Sequence, residues 1–154
     1  MEVWRLCKEK YAPTAFDGEG ALRVGGRWNS RGIAVVYTSE SLALATLEML
    51  VHVLSVELSP PDLVAIAAQI PDSLVDDGLD VDDLADDWQS ASGHSSLRRE
   101  GDNWLESQQS VGISVPSAVV PEERNILLNP EHPQFEQIRI GAPIEFDLDR
   151  RFFS

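Results

Sequence analysis

At 154 residues, with 43% apolar and 25% charged residues and four tryptophans, the sequence is that of a globular chain long enough to bury a core without metal or disulfide. Its formal net charge of -14 excludes a protein built to grip a nucleic-acid duplex by counterion release. Cys7 is the only cysteine, which rules out an intramolecular disulfide and a Cys-based zinc site. The N-terminal "MEVWRLCKEKY" lacks a long apolar core, and no apolar run approaches the roughly 18 to 20 residues of a membrane span. A cytosolic protein with no membrane or direct nucleic-acid contact is expected. No repeat, heptad or low-complexity linker divides the chain, so a single domain over 1–154 is expected.

In chain order, "GIAVVYTS" (32–39) is a predicted strand rich in β-branched and aromatic residues, entered through Gly32 and left near Ser39, a candidate helix N-cap. "SLALATLEMLVHVL" (41–54) follows as a helix of mainly apolar helix formers. "LVAIAAQIP" (63–71) reads as a strand closed by Pro71. The acidic run Asp72–Asp87 reads as a surface loop or short helix. "DNWLESQQS" (102–110) predicts a short helix and "VGISVPSAVV" (111–120) an alternating strand. "RNILLN" and "FEQIRIGAPIEFDLDRRFF" add two or three further strands. Many short strands with one or two helices among them predict an α+β fold dominated by sheet.

Four places carry chemical interest. Glu48 lies in the least polar part of the chain, with Leu44, Ala45, Val51 and His52 as its helical neighbours and no Lys or Arg to pair with. Such a carboxylate either reaches out to water or stands at the wall of a pocket. Arg27 and Arg31 flank a Gly-Gly turn in a stretch with no acidic residue between Glu19 and Glu40. Their guanidinium forks suit phosphate oxygens, and a basic loop paired with surface carboxylates is the competing explanation. Tyr37 shares a predicted strand face with Ile33 and Val35, where its ring could stack on a flat ligand or simply fill the core. Ser117 occupies a slot in the Val111, Ile113, Val115, Val119 face where an apolar residue was due, beside Pro116, which marks an edge or bulge. His52, His94 and His132 show no metal-ligand spacing, so no metal is assigned, and Ser117 lacks the G-x-S-x-G elbow of a hydrolase.

The stretches "WRL", "GGRWNSRG", "VVYTSESLALATLE", "GDNWL", "VPSAVVPEERNILLNPEHP" and "IEFDLDRRF", in this order, resemble the RES-domain family, toxins of RES–Xre toxin–antitoxin systems named for an Arg, a Glu and a Ser. By that resemblance the family's Arg is Arg27, its Glu is Glu48, its Ser is Ser117 and its accompanying Tyr is Tyr37, which make the catalytic set. Asn125 also matches and is expected to support the site, and Arg31 remains a second candidate for the ligand's phosphate. The resemblance implies an ADP-ribosyltransferase-like fold with a central cleft for NAD as substrate, cleaved at the nicotinamide–ribose bond with phosphate or water as acceptor. It also implies a cognate Xre-type helix-turn-helix antitoxin. In that setting Arg27 meets the pyrophosphate, Tyr37 the nicotinamide ring, and Ser117 the nicotinamide or ribose end. ADP-ribosyl transfer to a protein and a catalytically silent interaction domain are the alternatives. Self-association is left open, because no stretch identifies an interface.

Overall fold

The computed structural model describes residues 1–56, 59–90 and 93–154. Among them the strands are β1 (Glu2–Lys8), β2 (Val36–Ser39), β3 (Leu63–Gln69), β4 (Val75–Asp76), β5 (Gly112–Pro116), β6 (Arg124–Leu128), β7 (Arg139–Ile140) and β8 (Ile144–Phe146). The helices are α1 (Glu19–Val24), α2 (Leu42–Val56) and α3 (His94–Ser107). The strands form one sheet in the order β4-β5-β6-β2-β1-β3-β7, with β8 also pairing β3. All pairs are antiparallel except β4 with β5. The architecture is sheet-rich α+β, as predicted.

β1 went unread in the sequence for a physical reason. It lies inside the sheet, between β2 and β3, and packing covers both its faces: Val3 and Cys7 enter one core cluster, Leu6 and Trp4 another. A strand buried on both sides loses the apolar–polar alternation that announces a strand. Its pairing is uneven. Seven registered residues join β1 to β3, from Glu2↔Gln69 to Lys8↔Leu63, but one pair alone, Trp4↔Ser39, joins it to β2. Where the sheet is joined so narrowly, Arg5 of β1 and Tyr37 of β2 stand at the edge of open space.

α2 seals one side of the sheet, placing Ala45, Leu50 and Val53 against Leu6, Leu63 and Ala65. Its first turn is capped by Ser41, whose Oγ accepts from the Leu44 amide at 3.1 Å, not by Ser39, whose hydroxyl donates to Asn125 Oδ1. α3 starts well before Asp102, because Leu97, Gly101, Trp104 and Leu105 make a buried stripe at helical spacing that begins inside the polar run "HSSLRREG" (94–101). It ends at Ser107, with Gln108 in the left-handed region at φ 50°. β5 stops at Pro116, so the alternation expected over 111–120 is cut short: Val115 and Ile113 join Trp28, Trp88 and Trp104, whereas Val111 packs in the opposite cluster and Val119 is exposed. The acidic segment forms two single-turn 3-10 helices around β4. Arg124 holds it to the sheet, donating to the carbonyls of Asp77 and Leu79 and pairing with Asp80.

Candidate active site

Glu48 stands on the face of α2 that meets the β2–β6–β5 part of the sheet. Its Oε1 accepts two hydrogen bonds, one from Ser117 Oγ at 2.7 Å and one from Asn125 Nδ2 at 2.6 Å. Asn125 is fixed in turn by the Ser39 hydroxyl on its Oδ1, across the Ser39↔Asn125 register of β2 and β6. Among the described residues no hydrogen bond reaches Oε2, so the carboxylate is clamped through one oxygen and presents the other to a cleft that Glu48 lines. Two neutral donors with fixed partners hold an orientation that a lone helix side chain could not keep.

Ser117 is fully buried and lines no part of that cleft. Its Oγ, besides donating to Glu48, accepts from the amides of Val119 and Val120 at 3.1 and 3.0 Å, closing the turn after β5. The structure thus places Ser117 behind Glu48, with its hydroxyl engaged by Glu48 and by the turn, and not in the cleft where the sequence reading set it against the nicotinamide or ribose end. Asn125 lines the cleft and donates to the same carboxylate.

The loop Gly25–Arg31 forms the opposite wall, and α3 fastens it. Asp102 accepts from the Ser30 amide and hydroxyl, Arg98 Nε donates to the Gly26 carbonyl at 2.9 Å, and Trp28 is buried against α3. Gly101 is required there, since a Cβ would fall 1.7 Å from the Trp28 carbonyl oxygen. Within the loop Tyr37 acts as a strut. Its hydroxyl donates to Asn29 Oδ1 at 2.6 Å and accepts from the Trp28 amide at 3.0 Å, while its ring lines the cleft. Burial holds the phenol above the ordinary tyrosine range. Arg27 also lines the cleft. One of its nitrogens, Nη1, donates to the Trp88 carbonyl at 2.9 Å; burial draws its guanidinium down from the ordinary arginine value, and the Glu48 carboxylate opposes that. Arg31 is exposed and lines neither of the two cavities at the site, so the loop's two arginines are not equivalent.

Two adjoining cavities, about 450 and 410 Å³, share Arg5, Tyr37, Glu48, His52 and Asn125. Their size is that of a small-molecule site. Arg5 was not singled out as a site residue, although it lies in the "WRL" stretch of the resemblance. Its Nη1 donates to the Tyr37 carbonyl at 2.8 Å, its Nε is buried without a partner, and burial lowers its pKa. Arg98 joins it at the cleft. Among the described residues none of Arg5, Arg27 and Arg98 forms an ion pair, although the chain carries 26 acidic residues against 12 Lys and Arg. Unpaired, partly desolvated guanidinium groups collected in one concavity suit an anionic ligand. No group of three or more His, Cys, Asp or Glu among the described residues could hold a metal ion.

The model of the RES domain family matches residues 2–149. The chain belongs to the RES-domain family. Toxin Res of Photorhabdus laumondii is 38% identical over 152 residues, covering 98% of this chain and 96% of that protein. Toxin Res of Yersinia enterocolitica is 36% identical over 153 residues, covering 98% of this RES domain and 99% of the relative. A Sphingobium protein named Prs ADP-ribosylating toxin is 34% identical over 147 residues, covering 88% of this chain and 86% of its own. Among solved structures, the Mycobacterium tuberculosis MbcT–MbcA toxin–antitoxin complex contains a chain that superposes with a TM-score of 0.72 at 19% identity, covering 99% of this RES domain and 86% of that chain. At that identity the likeness establishes the fold, and it is the sheet-rich α+β fold described above.

Proposed function

We propose that this RES domain is the toxin of a toxin–antitoxin pair and that it cleaves NAD at the nicotinamide–ribose bond, passing ADP-ribose to phosphate or water. The observation that carries the reading is a single carboxylate, Glu48, clamped through Oε1 and free of hydrogen bonds at Oε2 among the described residues, in a cleft lined by three arginines that form no ion pair among those residues. The arginines receive the pyrophosphate, and the ring of Tyr37 offers a flat face for nicotinamide. As the bond from ribose C1′ to the nicotinamide nitrogen breaks, its electron pair returns to the ring and positive charge develops on the ribose. Glu48 Oε2 stabilises that charge more than it stabilises the ground state. Nicotinamide leaves neutral, so no acid is required for its departure. The acceptor oxygen then bonds to C1′, and the proton it carries, where the acceptor is water or a protonated phosphate oxygen, is released to solvent. Ser117 and Asn125 act by holding Glu48, and Arg27, Tyr37 and Arg5 by holding the dinucleotide. The names of the relatives in Photorhabdus and Yersinia support a toxin, and the MbcT–MbcA complex supports an antitoxin partner; an Xre-type antitoxin over the cleft fits the family.

The Sphingobium relative, named an ADP-ribosylating toxin, favours a second reading: transfer of ADP-ribose to a macromolecule by the same bond cleavage. One experiment separates them. The purified protein is incubated with NAD labelled in the adenylate half, with and without phosphate and with a cell extract. Free nicotinamide with label in ADP-ribose or its phosphate supports degradation, and label retained on protein supports transfer. Failure to release nicotinamide under any of these conditions overturns both.

A further inference from the structure

One polar group in the cleft has no task in this mechanism. His94, the first residue of α3, lines the larger cavity, and its Nε2 is shielded from water with no hydrogen-bond partner among the described residues. A buried ring nitrogen without a partner is unfavourable and asks for one. Arg98, one turn along α3, and Arg27, from the loop opposite, line the same cavity. Each spends one nitrogen on a carbonyl, Gly26 and Trp88 respectively, and neither has a carboxylate partner among the described residues. The orphaned imidazole nitrogen thus sits among two guanidinium groups with donors to spare.

We infer that His94, together with Arg98 and Arg27, forms a proton-linked subsite for the diphosphate of the dinucleotide, with His94 taking a proton from solvent as the oxyanion arrives and donating it from Nε2. The inference rests on the NAD reading and adds to it a residue and a linkage. In the empty cleft, burial and then the positive charges of Arg27 and Arg98 hold His94 below the ordinary histidine range, so the ring is neutral at neutral pH. A diphosphate reverses two of the causes at once: it offsets the arginine charges and places an acceptor oxygen at the buried nitrogen, and both favour imidazolium. The other charged and titratable groups that face the cleft or the elements around it each have a defined place. Glu48 of α2 is clamped, Arg5 of β1 stays cationic, and the Tyr37 phenol keeps its proton. Glu19 of α1 is paired with Arg23, Asp102 of α3 is taken by Ser30, and His52 of α2 lies one turn beyond Glu48.

The test uses ADP-ribose, which keeps the diphosphate and cannot be cleaved at the scissile bond. Titration calorimetry is run at about pH 7 in two buffers of different ionisation enthalpy. The wild-type protein is expected to take up protons on binding, seen as an observed enthalpy that depends on the buffer. His94→Ala is expected to abolish that dependence and weaken binding about ten-fold or more. His94→Gln keeps an N–H donor near the same place, and is expected to recover part of the affinity without the proton uptake. Binding by wild type with no buffer dependence, or with a dependence unchanged in both variants, overturns the role of His94 and leaves the NAD reading standing. No binding of ADP-ribose by a folded wild-type protein overturns the NAD reading itself, and this inference with it.

Discussion

Glu48→Gln is the sharpest perturbation, because the structure separates what it removes from what it leaves. Ser117 Oγ and Asn125 Nδ2 both donate to Oε1, at 2.7 and 2.6 Å. A glutamine can put its carbonyl oxygen in that place and keep both bonds, which leaves its NH₂ group where Oε2 faced the cleft. Packing, clamp and turn are retained, and only the cleft-facing charge is lost. A unit charge about 4 Å from a developing cation, at an effective dielectric of about 20, contributes about 4 kcal/mol. An amide dipole recovers a small part of this, so a loss of about 3 kcal/mol is expected, or roughly a hundred-fold in rate. The assay is nicotinamide release resolved by chromatography, with a thermal melt on the same sample. A melting temperature within about 2 °C of wild type together with the rate loss is the expected pair of results. A folded variant that releases nicotinamide within about five-fold of wild type would refute the role of Glu48.

Ser117→Ala removes the donor to Glu48 and the acceptor for two amides, three hydrogen bonds at about 1 kcal/mol each, so the melting temperature is expected to fall by roughly 6–12 °C while activity also drops. Cleavage unaffected at a temperature where the variant is folded would show that the clamp is dispensable. Arg27→Ala is expected to raise the Kd for ADP-ribose about ten-fold or more, with Arg27→Lys recovering only part, since a point charge cannot reproduce the guanidinium fork; calorimetry measures both. Gly101→Ala forces a methyl against the Trp28 carbonyl oxygen and is expected to lower stability by about 1–3 kcal/mol and to loosen the Arg27 loop, read by denaturant unfolding and by KM. Tyr37 has a folded-state pKa raised by burial, so the unfolded chain gives up this proton first as pH rises; the stability it supplies is constant below about pH 10 and declines above it. Melts between pH 8 and 11 are expected to slope downward at the alkaline end more steeply for wild type than for Tyr37→Phe.

Much of the site was legible because its residues break local patterns. Glu48 is a carboxylate in an apolar helix, Arg27 a cation beside two glycines in an acid-free stretch, and Ser117 a hydroxyl in an apolar row. Each anomaly carries information about position but little about partner. That Ser117 is aimed inward at Glu48, 69 residues away, depends on the β5–β6–β2 order of the sheet, which no local pattern encodes. Arg5 and Arg98 were missed for the opposite reason. Each sits in a segment where a cation is unexceptional, and only the narrow β1–β2 junction and the docking of α3 turn them toward the cleft. α3 begins before the predicted helix over 102–110: Ser95, Ser96 and Gly101 are weak helix formers, whereas its buried stripe decides the outcome.

The Arg, Glu and Ser of the family signature do not line the cleft as three equals. Ser117 is buried and touches the site only through its hydrogen bond to Glu48; Arg27 lies across the cleft from it, on a loop that Tyr37 props from below and α3 fastens from behind. The four candidate positions, Arg27, Tyr37, Glu48 and Ser117, come from four separate places, the loop after α1, strand β2, the middle of α2 and the turn after β5. Their convergence requires β2 to lie between β6 and β1, so that Asn125 and Ser39 can register side by side beneath the helix that follows β2 directly. The same arrangement explains how so acidic a chain could hold an anion. Many of its carboxylates are spread over exposed turns such as Asp72–Asp87, whereas Glu48 stands inside the cleft, held by Ser117 and Asn125, and in the proposed reaction it meets developing positive charge rather than phosphate.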